Sequence, residues 1–157
     1  MFWSYNLSLM ATVASLAMGE GGAASAQSPG PYFVDEHNVV IGGYDVVAYF
    51  EQNEAVKGAS SHRYEHDGVR FHFSSAANRD AFAAAPEEYL PQYGGFCAYA
   101  MGAKNVKFEV DPETFKIVDG RLYLFYNGEQ GNASVPWNQQ ERALRGKADR
   151  NWQEHKR

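Results

Sequence analysis

The sequence predicts an α+β fold: a small antiparallel sheet built from two hairpins, with short helices packed on it and a C-terminal amphipathic helix. Three observations predict this architecture. Asp67-Gly68 and Asp119-Gly120 each separate two short runs rich in β-forming residues, and Asp-Gly is a favoured loop of tight hairpins. Short segments that begin after Ser or Pro lie between the two hairpins and predict helices. Near the C-terminal end, apolar residues recur at helical spacing.

The first predicted elements of the domain are short. Residues 37–41 are a strand candidate that ends at Gly42-Gly43. Residues 44–50 are mostly apolar, and the segment is too short for its period to decide between a strand and one or two helical turns. Asp45 is suited to cap a helical turn, because its carboxylate can accept backbone N–H groups.

Residues 61–74 predict the clearest hairpin. With Asp67 and Gly68 as its loop, the side chains sort into two faces, because the period of a strand is two. The face expected to point inward contains His62, Tyr64, His66, Val69, Phe71 and Phe73. The face expected to meet water contains Arg63, Glu65, Arg70 and His72. His62, opposite Phe73, is therefore expected to face the interior, whereas His72 is not.

Two helical segments are predicted after this hairpin. Ser75 is an N-cap candidate for a helix over residues 76–84. Pro86 suits the first position of a helical turn over residues 86–90, which Pro91 ends.

The second hairpin and one helix are predicted for the rest of the chain. Around Asp119-Gly120, the pairing places four apolar side chains on one face: Phe115, Ile117, Leu122 and Leu124. A single apolar stripe then predicts the C-terminal helix, with Pro136 in its first turn, and consists of Trp137, Leu144, Ala148 and Trp152.

The start of the chain predicts export. Residues 7–18 are an apolar run too short to span a bilayer, and Ala24-Ser25-Ala26 offers the small residues of a cleavage site. We therefore interpret residues 1–26 as a signal peptide, 27–31 as a linker and 32–157 as one domain of a periplasmic or secreted protein. The alternative is a disordered tail rich in Ala and Gly.

Composition excludes several classes of function. The net charge of −5 at pH 7 argues against nucleic acid as a partner, because such proteins present a basic surface. It also argues against adhesion to anionic lipid, and the mature part has no apolar stretch of membrane-spanning length. The motifs of serine hydrolases, zinc proteases and P-loop proteins are missing. Binding is therefore favoured over catalysis.

Residues 42–151 resemble the YHS-domain family, and more narrowly the exported bacterial branch labelled YHS domain-containing (seleno)protein. The matching motifs are GYDVVAYF (43–50), DGVRFHFSSAANRDAF (67–82), PEEYLPQYGGFCAYA (86–100), DPETFKIVDGRLYLFYN (111–127) and ADRNW (148–152). The resemblance implies a small α+β fold and a metal-binding role. Metal-binding YHS modules carry two cysteines after the hairpin, and Ser74 and Asn78 occupy those positions here.

Cys97 is the sole cysteine and the candidate functional thiol. The label of the branch implies that some relatives place selenocysteine in such a motif, where nucleophilicity, redox turnover or soft-metal binding matters. Gly94 and Gly95 precede it, and we expect them to allow a ligand to approach and their turn to lower the pKa of the thiol. The alternative is a tight corner beside a cysteine that fills a gap in the core.

A metal ion requires further ligands, and the candidates are His62 and Met101, followed by His66 and His37. Met101 lies one helical turn after Cys97 if that segment is helical. A set of Cys97, His62 and Met101 favours Cu⁺ over Zn²⁺, because thiolate and thioether are soft ligands. Each histidine is otherwise an ordinary hydrogen-bonded residue, and Met101 is otherwise core filling.

Three functions follow from these residues. The first is a binding module that holds a soft metal ion, copper ahead of zinc, or a small ligand, through Cys97. Tyr44 and Asp45 are the other polar positions in an apolar context, and we predict that they contribute to this site, with helix capping as the alternative role of Asp45. The second is a thiol redox protein in which Cys97 attacks as the catalytic thiolate. The third is a partner-binding module with a structural cysteine.

Overall fold

The computed structural model describes residues 30–156 and confirms the α+β fold class. The predicted signal peptide and residues 27–29 of the predicted linker lie outside the described residues, so both stay predictions. The helices are α1 (Val46–Glu51), α2 (Ala76–Ala84), α3 (Pro86–Tyr89), α4 (Ala98–Lys104), α5 (Ser134–Gln139) and α6 (Glu141–His155). The strands are β1 (Ala59–His66), β2 (Val69–Phe73), β3 (Asp111–Val118), β4 (Arg121–Phe125), β5 (Asn127–Gly128) and β6 (Gly131–Asn132). Two 3₁₀ turns, Ile41–Gly43 and Gln92–Gly95, complete the regular structure of residues 30–156, in which no helix combines the length and apolar character of a membrane crossing.

The register of the first hairpin, β1–β2, is confirmed next to its loop. The observed pairs run from His66 opposite Val69 to Arg63 opposite His72. Asp67 and Gly68 both have positive φ, 50° and 77°, as the predicted type I′ turn requires. Farther from the loop the prediction is wrong, because an irregularity between Ala59 and Arg63 pairs Phe73 with Ala59 instead of His62. His62 keeps its half-buried face but loses its predicted partner.

The segment before α1 differs from its prediction. Residues 37–41 form isolated bridges at Val39 and Val40 rather than a strand, and the chain then enters the 3₁₀ turn. The ambiguous segment after it is helical. Helix α1 begins at Val46 because Asp45 caps it, as the sequence suggested, with Oδ1 accepting the N–H groups of Val47 at 2.9 Å and Ala48 at 3.2 Å.

The helices that follow the first hairpin are confirmed. Ser75 caps α2 through its hydroxyl oxygen, which accepts the N–H of Asn78 at 3.1 Å. Pro86 is the first residue of α3, which ends before Leu90 and Pro91. The predicted single C-terminal helix is instead α5 and α6, because Gln140 between them has φ −136° and ψ 25°. Trp137 therefore lies on α5, and the other three residues of the stripe lie on α6.

Strand β4 is the shared wall of two apolar clusters. The two hairpins form separate two-stranded sheets rather than one sheet. On β4, Leu122 and Leu124 face the N-terminal core, together with Phe115 and Ile117 of β3 as predicted. The alternate residues Tyr123 and Phe125 face the C-terminal core. Because successive side chains of a strand point to opposite faces, one short strand supports both clusters.

The N-terminal core and the C-terminal core together contain most of the buried hydrophobic residues of residues 30–156. The buried members of the N-terminal core are Tyr32, Val40, Ile41, Val46, Val47, Tyr49, Val69, Phe71, Phe73, Phe82, Leu122 and Leu124. The buried members of the C-terminal core are Tyr93, Phe96, Ala98, Met101, Tyr123, Phe125, Trp137, Leu144, Ala148 and Trp152.

The carboxylate of Asp45 links three elements at the edge of the N-terminal core. Its side chain is fully buried. Besides capping α1, its Oδ2 accepts the N–H of Ser74 at 2.8 Å, the hydroxyl of Ser74 at 2.7 Å and the Nδ2 of Asn78 at 2.8 Å. Ser74 directly follows β2 and Asn78 lies on α2. A buried carboxylate is stable when its oxygens are satisfied in this way.

Replacing Asp45 with Ala is therefore expected to reduce the free energy of unfolding by about 3 kcal/mol or more, because several buried donors lose their acceptor. Urea unfolding followed by circular dichroism measures the loss. Asp80→Ala is the matched control, because Asp80 is exposed and pairs only with the neighbouring Arg79 among the described residues; its effect is expected to stay within about 0.5 kcal/mol. Equal stability of the two variants would contradict the central role of Asp45.

Candidate functional site

Cys97 borders a cavity of about 470 Å³ between α4, the segment that follows it, and α5. Cys97 is the N-cap residue of α4. We call this space the Cys97 cavity. Its lining consists of Cys97, Tyr99, Ala100, Lys104, Val106, Phe108, Tyr126, Gln130, Gly131, Asn132, Ala133, Val135 and Pro136.

Backbone groups from both sides of the cavity hold Cys97. Its N–H donates to the carbonyl oxygen of Phe108 at 3.0 Å, and its Sγ accepts the N–H of Tyr126 at 3.4 Å. The rings of Phe108 and Tyr126 meet edge to face, with centroids 5.2 Å apart. Tyr126 directly follows β4, so the hairpin that divides the two cores also fixes one wall of the cavity.

Burial controls the protonation of Cys97. The residue is only 1% exposed, so the sulfur borders the cavity with little of its surface. Burial raises the pKa of the thiol above its ordinary value, while backbone N–H groups of Ala100, Tyr126 and Tyr99 and the charge of Lys104 oppose that rise. These N–H groups lie at the start of α4 and directly after β4, and none of them belongs to the glycine turn.

The mouth of the Cys97 cavity is apolar with one charge. Val106 is 40% exposed and Val135 is 55% exposed, and they are the exposed large hydrophobic residues of the described chain. Both line this cavity. Lys104 is the one lining side chain that is charged at neutral pH. Isolated exposed apolar residues are ordinary, but their convergence at one opening is typical of a binding site.

The structure does not bring the predicted metal ligands together at this cavity. Met101 lies one turn after Cys97, as predicted, and its N–H donates to the carbonyl of Cys97 at 3.0 Å. Its side chain is fully buried in the C-terminal core, and His62 lies on β1; neither lines the cavity. His37 is exposed, and His66 is half-buried beside Asp67, with 3.3 Å between Nε2 and Oδ2. Within residues 30–156, no three His, Cys, Asp or Glu side chains are grouped so as to hold a metal ion.

Tyr44 and Asp45 lie with the N-terminal core and do not line the Cys97 cavity. Lys57 places its Nζ over the ring of Tyr44, 4.8 Å from the centroid. Burial raises the pKa of the Tyr44 hydroxyl, and the carboxylates of Glu113 and Asp111 raise it further. Both oxygens of Asp45 are already engaged by the chain itself.

Gly94 and Gly95 form a tight corner of the backbone, which was the alternative interpretation of this pair. A Cβ on Gly94 would lie 1.7 Å from the carbonyl oxygen of Pro31, and a Cβ on Gly95 would lie 2.9 Å from Cγ2 of Ile41. Their φ values, +63° and +89°, also favour glycine. The N–H of Phe33 donates to the carbonyl oxygen of Gly94 at 2.9 Å. The close approach that these glycines allow is made by the chain itself, by the backbone of Pro31 at Gly94 and by the side chain of Ile41 at Gly95.

Sequence reasoning missed most of the cavity wall. Lys104, Val106, Phe108, Tyr126 and Val135 come from segments that are separated in the sequence, and no motif joins them. The available signal was weak: Val106 is a single apolar residue between Asn105 and Lys107, whereas Val135 is followed by Pro136 and Trp137 and does not stand out.

Alkylation measures the state of the thiol without ambiguity, because the chain has one cysteine. Near neutral pH, we expect iodoacetamide to label Cys97 in the folded protein at least about tenfold more slowly than in the urea-unfolded chain, because burial favours the protonated thiol and restricts access. The rate in the folded protein should rise with pH and level off only above the ordinary thiol pKa of 9.0. Labelling of the folded protein as fast as that of the unfolded chain at neutral pH would contradict this.

Comparison with known proteins identifies the family of the first half of the domain. The YHS-domain family model matches residues 47–93. The match runs from α1 into the 3₁₀ turn Gln92–Gly95, so it includes Ser74 and Asn78 and ends before Cys97. A search of curated proteins gave no significant match, and neither did a search of solved structures. The chain is therefore a YHS domain-containing protein.

Proposed function

We propose that this protein is a small binding module whose ligand occupies the Cys97 cavity. The observation that carries this proposal is the convergence of Val106 and Val135, the exposed large hydrophobic residues of the described chain, at the mouth of one cavity. The volume of about 470 Å³ lies in the range of small-molecule sites, which is roughly 300–1,000 Å³. Apolar walls with a few polar groups are also typical of such sites.

The surroundings of Cys97 favour binding over thiol chemistry. An attacking thiolate requires a lowered pKa or an adjacent base, whereas burial raises the pKa of this thiol. The lining of the cavity contains no histidine and no carboxylate that could take the proton. Cys97 therefore serves as a small, polarizable part of the apolar wall.

A soft metal ion on Cys97, copper ahead of zinc, is the second candidate. The buried sulfur at the cavity and the metal-binding role implied for YHS domains support it. Two features place it second. The other polar side chains of the lining are the amides of Gln130 and Asn132, the phenols of Tyr99 and Tyr126, and Lys104, none of which is a soft ligand. Ser74 and Asn78, at the family's cysteine positions, are both bonded to Asp45.

Binding of decanol tests the first candidate. We expect decanol to shift the backbone amide signals of residues 98–108 and 126–136 in nuclear magnetic resonance spectra of the purified protein. Val135→Asp should weaken binding by roughly fivefold or more, because a charge replaces apolar contact surface at the mouth. Gln139→Asp introduces the same charge on the same helix at an exposed position outside the lining, and it should bind like the native chain. Shifts spread over the whole chain, or equal binding by both variants, would sink the proposal.

A metal titration of the reduced protein tests the second candidate. Cu⁺ and Zn²⁺ are titrated into the native chain and into Cys97→Ser in competition with a chromophoric chelator. Because the cavity supplies a single soft ligand, we expect Cu⁺ binding that is weak, is stronger than Zn²⁺ binding and is lost in Cys97→Ser. Tight, stoichiometric Cu⁺ binding that disappears in Cys97→Ser would make the metal ion the first candidate instead. Binding that is equal in the two chains would remove Cys97 as a ligand.

A further inference from the structure

We infer that the ligand of the Cys97 cavity is an anionic amphiphile, with an apolar body inside the cavity and one carboxylate head group paired with Lys104. The inference rests on the proposed function and adds the chemical class of the ligand. It follows from the kind, number and position of the charges around the cavity.

Lys104 supplies an uncompensated positive charge at the edge of the cavity. It is exposed, and it is the charged member of a lining that contains no Asp or Glu. Within residues 30–156, the ion pairs of Lys and Arg involve Arg70, Arg79, Lys116 and Arg145, and Lys104 is in none of them. The full chain carries a net charge of −5, so an anion is attracted only where a local cation outweighs the overall field.

The carboxylate of Glu154 does not neutralise Lys104 directly. Glu154 lies on α6 and accepts a hydrogen bond from Nδ2 of Asn105 at 3.1 Å, and it does not line the cavity. His155, the other titratable group that contacts Asn105, places Nε2 3.0 Å from its Oδ1. Glu154 and His155 both lie on α6, and neither lines the cavity. The ammonium group of Lys104 is therefore the charge that belongs to the lining.

Cys97 and Lys104 lie at opposite ends of α4. Cys97 directly precedes α4 and Lys104 is the last residue of that helix, so the two backbones are about 10 Å apart along the helix axis. The lining also contains the apolar side chains of Val106, Phe108 and Val135. A molecule with an apolar body and a charge at one end matches a lining that combines these apolar side chains with one cation.

A single lysine at the mouth favours a monoanion. Arginine forks and several donors are typical of phosphate sites, because a phosphate group presents three acceptor oxygens and more than one charge. The lining of the Cys97 cavity contains no arginine. A carboxylate needs one charge partner at the edge of the site, which Lys104 provides, and it leaves the interior to the hydrocarbon part.

Three probes of equal chain length test the inference: decanoate, decanol and decyltrimethylammonium, each below its aggregation concentration, at low salt and slightly alkaline pH. In Lys104→Gln, the ratio of the Kd of decanol to that of decanoate should fall by about threefold relative to the native protein, since an exposed charge pair contributes modestly. Lys147→Gln, exposed on α6 and outside the lining, should leave the ratio unchanged. Added salt should weaken decanoate binding alone, and the cationic probe should bind most weakly.

The possible failures are distinguishable. If decanol and decanoate both bind but their ratio is the same in the native protein and in Lys104→Gln, the inferred anionic head group is wrong and the proposed cavity function stands. If decyltrimethylammonium binds as well as decanoate, the result is equally decisive against the inferred charge. If none of the three probes binds, the proposed function fails together with the inference.

Discussion

The buried carboxylate of Asp45 is the constraint around which the YHS part of the chain is arranged. One of its oxygens satisfies the first N–H groups of α1, and the other accepts three donors from Ser74 and Asn78. The start of one helix, the end of β2 and the first turn of α2 are therefore held by a single charged group. The resemblance to metal-binding YHS modules implies cysteines at the positions of Ser74 and Asn78, and in this chain both side chains are instead hydrogen-bonded to Asp45.

Strand β4 connects the Asp45 region to the Cys97 cavity. Its alternate side chains belong to different cores, so the position of the strand is fixed from both sides. Tyr126, the next residue, contributes its backbone N–H to Sγ of Cys97 and its ring to the cavity wall. Because Tyr126 directly follows this strand, one wall of the cavity is attached to a strand that both cores bury.

The parts of the structure that the sequence predicts correctly depend on neighbouring residues. The Asp-Gly loops set the hairpin register over the nearest four pairs, and Ser75 and Pro86 mark their helices, because turn and cap chemistry acts over a few residues. Packing between distant segments determines the features that differ from the prediction. These are the irregularity between Ala59 and Arg63, the absence of a strand at residues 37–41 and the break at Gln140. The Cys97 cavity also depends on packing between distant segments. Cys97 could be singled out because it is the sole cysteine, whereas Val106 and Val135 acquire their meaning only when the fold places them at one opening.

The burial of Cys97 and the exposure of Lys104 have a joint consequence. Moving a thiolate into an apolar wall is costly, so the interior of the cavity is neutral and suits hydrocarbon. A cation at the rim remains solvated and incurs no such cost, yet it can still pair with a ligand that reaches it. Affinity then comes mainly from apolar contact inside, and selectivity among ligands of equal size comes from charge at the edge. This division explains how a domain with a net negative charge can provide a site for an anion while keeping its one thiol protonated.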